Sequence, residues 1–200
     1  MSLTGAIWAV FQQGLRRTAG YLLIFSSGLM LMSAGLDSSQ GFIISSYFIL
    51  PRLINFFLLA WSLIILEHQH GQINISSIRS LFYTNPFTAV AFIISLFSTA
   101  AIPFSPGFSP VMAVLQLINQ ENPITTGIII FCMLILSIRF IQWTYLITRQ
   151  TEDEDEIKEV VTAKIFFGVL IFLLLLSGIF PNFFFSTFES FVNGYDFLVQ

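Results

Sequence analysis

From Pro86 to about Ile118 the chain is apolar for some 33 residues, yet Pro103, Pro106, Gly107 and Pro110 fall near the middle of that stretch. As a straight helix at ~1.5 Å per residue it would be about 50 Å long, against ~30 Å of bilayer hydrocarbon. One straight crossing does not fit. A single crossing interrupted near residues 102–110 does. Proline removes a backbone donor and wedges apart a helical turn, and lipid leaves no water to repair the loss. The stretch therefore predicts a broken helix whose freed backbone groups are met by protein or by trapped water. Ser98, Thr99, Ser105 and Ser109 stand close enough in sequence to contribute.

The same ruler applies to the rest of the chain. Hydrophobic residues make up 56% and charged residues 10%, whereas a soluble domain carries about 25% charged residues. Strand-like alternation is absent, and the apolar runs exceed the ~10 residues of a barrel strand. The expectation is an all-α membrane protein forming one helical domain over residues 1–200. It has about five transmembrane helices, near 18–36, 42–66, 86–118 (broken near 102–110), 124–147 and 163–180. The short N-terminal run "LTGAIWAVF" reads as an interfacial helix or as the end of a broken one. The aromatic tail "FFFSTFESFVNGYDFLVQ" is expected along the interface, and the acidic segment 150–160 as a solvated loop.

Five crossings sort the loop charges. Arg16, Arg17, Arg79, Arg149, Lys158 and Lys164 fall on the side of the N-terminus. The opposite loops hold Asp37, Glu121, Glu189 and Asp196 and no Lys or Arg. The positive-inside rule then places the N-terminus in the cytoplasm or organelle matrix. Splitting the 86–118 stretch into two crossings would scatter these charges.

Ionisable groups inside a span are functional candidates, because burying charge in lipid is costly. Arg52 follows Pro51 in the middle of the second span, where proline opens the backbone and a cation can meet freed carbonyls. Arg139 lies late in the fourth span. Each reads either as a structural charge or as the electrostatic part of a proton path. Neither arginine releases its proton at ordinary pH. Among titratable groups, His68 and His70 lie closest to neutrality, at the end of the second span beside Glu67. Their i, i+2 spacing puts the rings on different sides of a helix, which argues against a metal pair. Cys132, the single cysteine, reads as apolar filler. No CxxC, HExxH, P-loop or GxGxxG pattern is present, so no cofactor or metal site is expected.

Two stretches carry a resemblance. "QQGLRRTAGYLLIFSSG" resembles the "Q-x-D-L-K-R-x-x-A-Y-S-S-I-x-x-x-G" segment of the antiporter-like proton-translocating subunits found in respiratory complex I and in Mrp-type Na+/H+ antiporters, through Gln13, Leu15, Arg16, Arg17, Tyr21, Ile24 and Gly28. "NPFTAVAFIISLFSTAAIPFSPGF" resembles the family's "SLAGIPPxxGFxxK" broken helix, through Ala101, Ile102, Pro103, Gly107 and Phe108. The polar "GQINISSIRSLFYTNP" is most like the linker of the complex I subunit 2 type. The resemblance covers the C-terminal part of a family member. It implies a membrane-arm subunit of a complex I-like NADH/ferredoxin:quinone oxidoreductase, shortened or split, with a structural or partial proton-translocating role. A subunit of a multisubunit cation/proton antiporter and a purely structural membrane subunit are the alternatives. It also implies a mitochondrial inner or bacterial energy-transducing membrane. The implied partners are lipid and other membrane subunits, including a second antiporter-like chain, with no nucleic acid. Where the family carries Lys or Glu after "GF", this chain has Val111, and Arg52 falls about where some members keep a mid-helix lysine. The helical architecture is retained while the titratable relay is depleted.

Overall fold

The computed structural model describes residues 1–36, 39–70, 78–79, 81–103, 105–149, 161–180 and 186. The expected acidic loop at 150–160 and nearly all of the aromatic tail lie outside the described residues. Within them the chain is all helical: α1 (Ser2–Phe11), α2 (Leu15–Ala34), α3 (Ser39–His70), α4 (Leu81–Thr84), α5 (Pro86–Thr99), α6 (Phe108–Glu121), α7 (Pro123–Thr148) and α8 (Val161–Ile179). Two helical segments, Gln40–His68 and Pro123–Thr148, are long and apolar enough to cross a bilayer on their own.

Helix α7 shows the physics of the bundle. Asn122 caps it, its side chain accepting from the N–H groups of Ile124 and Thr125, and Pro123 occupies the first helical position. Its buried residues Thr126, Ile129, Cys132, Met133, Leu136, Phe140, Trp143 and Ile147 fall along one stripe of a helix. The opposite face is just as apolar. Phe131, Leu134, Ile138 and Ile141 are all more than half exposed. A helix in water would carry charge on that face, so its solvent is hydrocarbon. Trp143 stacks on Phe92 of α5 at 6.5 Å and 10° between ring planes, joining the two helices. Among the described residues, several hydroxyls turn back on their own helix. Ser62, Ser95, Ser137, Thr144 and Ser177 each donate to a carbonyl three or four residues earlier, which satisfies them without water.

Helix α1 corrects the interfacial placement considered for the N-terminal segment. It runs antiparallel alongside α2. Ser2 lies against Gly28, Gly5 against the backbone of Tyr21 and Phe25, and Trp8 stacks on Tyr21 at 6.3 Å. A helix flat in the interface would instead cross α2 at one point. Its buried face, Ser2, Gly5, Ala6 and Ala9, is made of small residues, and these let the two backbones approach closely.

The break also has sharper limits than residues 102–110. Helix α5 ends at Thr99 and α6 begins at Phe108. Pro110 is therefore the third residue of α6, where a missing N–H costs no helical bond. At the end of α5 the N–H of Ala101 donates to the Ser98 carbonyl and that of Ile102 to the Phe97 carbonyl. This is a Schellman closure, with Ala101 in the left-handed region at φ 51°.

Candidate functional site

The site grows out of the contact between α3 and the α5 terminus. Pro51 sits inside α3, removing one rung of its hydrogen-bond ladder while the helix runs on. One residue later comes Arg52. Helical side chains lean toward the N-terminus, and the Arg52 guanidinium accordingly lies over the Phe48 ring, 4.5 Å from its centroid. It does not reach carbonyls freed by Pro51. Its Nη1 and Nη2 are buried and find no partner among the described residues. The ring face supplies some cation–π attraction, but not the hydrogen bonds that a buried guanidinium requires.

One turn beyond Arg52 stands Asn55, fully buried. Its Nδ2 donates to Thr99 Oγ1 at 2.8 Å, and Thr99 Oγ1 donates in turn to the Ser95 carbonyl at 2.8 Å. Asn55 Oδ1 is buried without a partner among the described residues. This bridge fastens α3 to the last turn of α5, just before the break. Asn55 escaped the sequence reading, which weighed only charged residues inside spans. The signal was present: Asn55 is three residues after Arg52, on the same face of the helix.

The break is held mostly by its own backbone. Ser105 N–H donates to the Ile102 carbonyl, Phe108 N–H to the Ser105 carbonyl and Val111 N–H to the Gly107 carbonyl. The serine and threonine side chains do less of this work than expected: Ser105 Oγ is buried without a partner among the described residues. Glycine is required at two places because of proximity. A Cβ on Gly107 would fall on the Ser98 carbonyl oxygen, and one on Gly178 of α8 would press on Pro106. Beside the break is a cavity of about 470 Å³ lined by Pro103, Ser105, Pro106, Phe108, Ser109 and residues of α8. Val111, where a titratable residue was expected from the family pattern, is fully buried in the apolar core.

The remaining candidates lie apart from this cluster. Arg139 donates from Nη1 to Gln142 Oε1 at 3.3 Å and lies 5.6 Å from the Trp143 ring centroid, while its Nε is buried without a partner among the described residues. Glu67 turns to Arg16 rather than to His68, pairing at 2.9 Å and tying the start of α2 to the end of α3. His68 and Arg17 are exposed. His70 ends α3, and its side chain lies outside the described residues. Cys132 is buried in the core.

One interrupted helix, with an arginine and a buried amide on the helix beside the interruption, defines the bundle as a helical membrane subunit. The family described as "NADH:quinone oxidoreductase/Mrp antiporter, TM" matches residues 2–137, and the chain belongs to it. It is 24% identical over 182 residues to NADH-quinone oxidoreductase subunit N 2 of Syntrophobacter fumaroxidans, covering 89% of this chain and 38% of that one. To NADH-quinone oxidoreductase subunit N of Methylovorus glucosotrophus it is 27% identical over 189 residues, covering 90% and 38%. The chain thus spans about two fifths of the length of these relatives. Its fold is similar to that of a chain in the membrane-bound sulfane sulfur reductase, an archaeal respiratory membrane complex. There the TM-score is 0.88 at 16% identity, covering 100% of this chain and 42% of the other. A chain of respiratory complex I from Thermus thermophilus gives 0.78 at 18% identity, covering 100% and 43%.

Proposed function

We propose that this chain is a membrane-arm subunit of a complex I-like oxidoreductase, a shortened or split antiporter-like subunit that contributes scaffold and one part of a proton path. The observation that carries the reading is Arg52, a buried guanidinium with Nη1 and Nη2 unpartnered among the described residues, one turn from the Asn55–Thr99 bridge. An unpaired buried cation is costly, and within membranes such groups mark ion and proton pathways. Arg52 itself keeps its proton. Its role is to set the local field, so that titratable groups supplied by a neighbouring chain change their proton affinity as they approach or withdraw. The cavity beside the break, which Ser105 and Ser109 help to line, is where water would enter that path. Five crossings, with Arg16 and Arg17 on the matrix or cytoplasmic side, complete the proposed topology.

Membrane subunits of the same complex, including a second antiporter-like chain, are the proposed partners. Co-purification tests this. Flavin, iron–sulfur and quinone-reductase subunits in the isolated complex support the reading. Antiporter subunits alone point to a cation/proton antiporter. Arg52→Ala divides path from scaffold: normal assembly with lost proton translocation supports a path, and failed assembly supports a structural charge. The chain alone in liposomes is expected to show no protonophore-insensitive proton flux, measured with an entrapped pH dye.

One observation favours a purely structural subunit as the second reading. Val111 places a fully buried apolar side chain where the family pattern carries Lys or Glu. If the structural reading holds, Arg52→Met leaves proton translocation by the whole complex unchanged.

A further inference from the structure

A second feature of the molecule lies away from the break. Antiparallel α2 and α3 leave between them an apolar groove of about 280 Å³, lined by Gly20 and Leu23 from α2 and by Ala60, Leu63 and Ile64 from α3. At one end the lining stops being apolar and becomes the ion pair of Arg16 and Glu67. Arg16 is 73% exposed in that pair, so its guanidinium has free donors on its outer side. Arg17, next to it, is exposed and makes no ion pair among the described residues. Arg16 and Glu67 balance each other in the lining, and Arg17, the next residue along α2, adds one positive charge beside the mouth that no carboxylate among the described residues offsets. Gly20 has open space around it, with nothing within 4 Å of where a Cβ would stand.

We propose that this groove seats one acyl chain of an anionic phospholipid whose phosphate rests on Arg16 and Arg17. Along α3 the lining runs from Phe56 to Glu67, roughly 16 Å at ~1.5 Å per residue, parallel to the direction an acyl chain takes in a bilayer leaflet. The polar end is basic, and basic clusters at the membrane edge of helix pairs attract anionic headgroups. Arginine forms bidentate bonds with phosphate, and Arg16 keeps donors free for this while it holds Glu67. A partner helix would need its own acidic group at this depth to satisfy Arg17. A phospholipid brings the charge and the apolar chain in one molecule.

Native mass spectrometry of the full chain in detergent, titrated with phosphatidylglycerol or phosphatidylcholine, tests the proposal. The expected result is one retained phosphatidylglycerol adduct and at least tenfold weaker phosphatidylcholine binding. The double variant Arg16→Gln/Arg17→Gln lowers phosphatidylglycerol affinity at least tenfold. Gly20→Leu keeps both arginines, fills the groove and produces a similar loss with an unchanged unfolding midpoint. Equal retention of the two lipids, or full retention by Gly20→Leu, overturns the proposal. So does self-association that Gly20→Leu abolishes without any phosphatidylglycerol adduct, because the groove then seats a second copy.

Discussion

Two regions of this protein meet proline inside an apolar stretch and respond differently. In α3, Pro51 lies within a 32-residue helix that continues through it. Between α5 and α6, Pro103 and Pro106 fall in a segment where the helix stops at Thr99 and restarts at Phe108. A single proline removes one hydrogen bond, and flanking helix on both sides can absorb that loss. Two prolines three residues apart, after a residue in the left-handed region, leave no complete turn between them. The chain then closes α5 with a Schellman turn and begins again. The difference extends to charge. The continuous helix carries a buried arginine one residue after its proline, while the broken one carries Val111 after its glycine. The interruption and the charge are on separate helices, joined by Asn55 and Thr99.

The largest expected effect comes from putting charge back at the break. Val111→Lys places an ammonium in a fully buried apolar site and should cost about 3 kcal/mol or more, read as a loss of folded protein in detergent unfolding. A neutral result would mean that water already reaches this point, and the contrast between the two helices would weaken. Next is Gly107→Ala, whose added methyl meets the Ser98 carbonyl. A loss of about 2–3 kcal/mol is expected, because backbone rather than a flexible side chain must yield. Gly127→Ala, in open space on α7, should instead gain up to about 1 kcal/mol. Equal effects at the two glycines would show that the break is not closely packed.

Arg52→Met sharpens the comparison in a different way. Removing a buried guanidinium whose Nη1 and Nη2 have no partner among the described residues should stabilise the isolated chain by about 1–2 kcal/mol, while reducing proton translocation by the assembled complex. A stability loss would reveal a countercharge within this chain. The smallest effect is expected at Ala101→Gly. Relieving an alanine held at φ 51° should add about 1 kcal/mol to the unfolding free energy, with assembly unchanged. A loss would show that the Ala101 methyl has a packing role that outweighs the strain.

Much of this was legible in order. Apolar length against bilayer thickness required helices and required an interruption between Pro86 and Ile118. Proline and glycine located it within a few residues. The boundaries shifted because a Schellman turn closes α5 before the first proline, and because Pro110 is tolerated in the first turn of α6. Arg52 was legible as a charge in a span, but its surroundings were not. Sequence suggested carbonyls opened by Pro51, whereas side-chain direction in a helix carried the guanidinium back over Phe48. Asn55 was overlooked because its role depends on Thr99, 44 positions away. Glu67 was read beside His68 and His70, when the helix pairing gave it Arg16, 51 positions away.

What the sequence by itself determined are the properties that follow from solvent and local geometry. These are the hydrocarbon environment, the helical state, the interrupted stretch and the presence of charge within a span. Each is set by transfer free energy or by the covalent limits of proline, and neither depends on which helices become neighbours. Only the tertiary structure decided that α1 lies along α2, that Gly107 must be glycine because Ser98 approaches it, and that Asn55 reaches Thr99. It also decided which nitrogens of Arg52 are left unpartnered among the described residues. Those facts rest on contacts a few ångströms long between residues far apart in the chain, and no local pattern encodes such a distance.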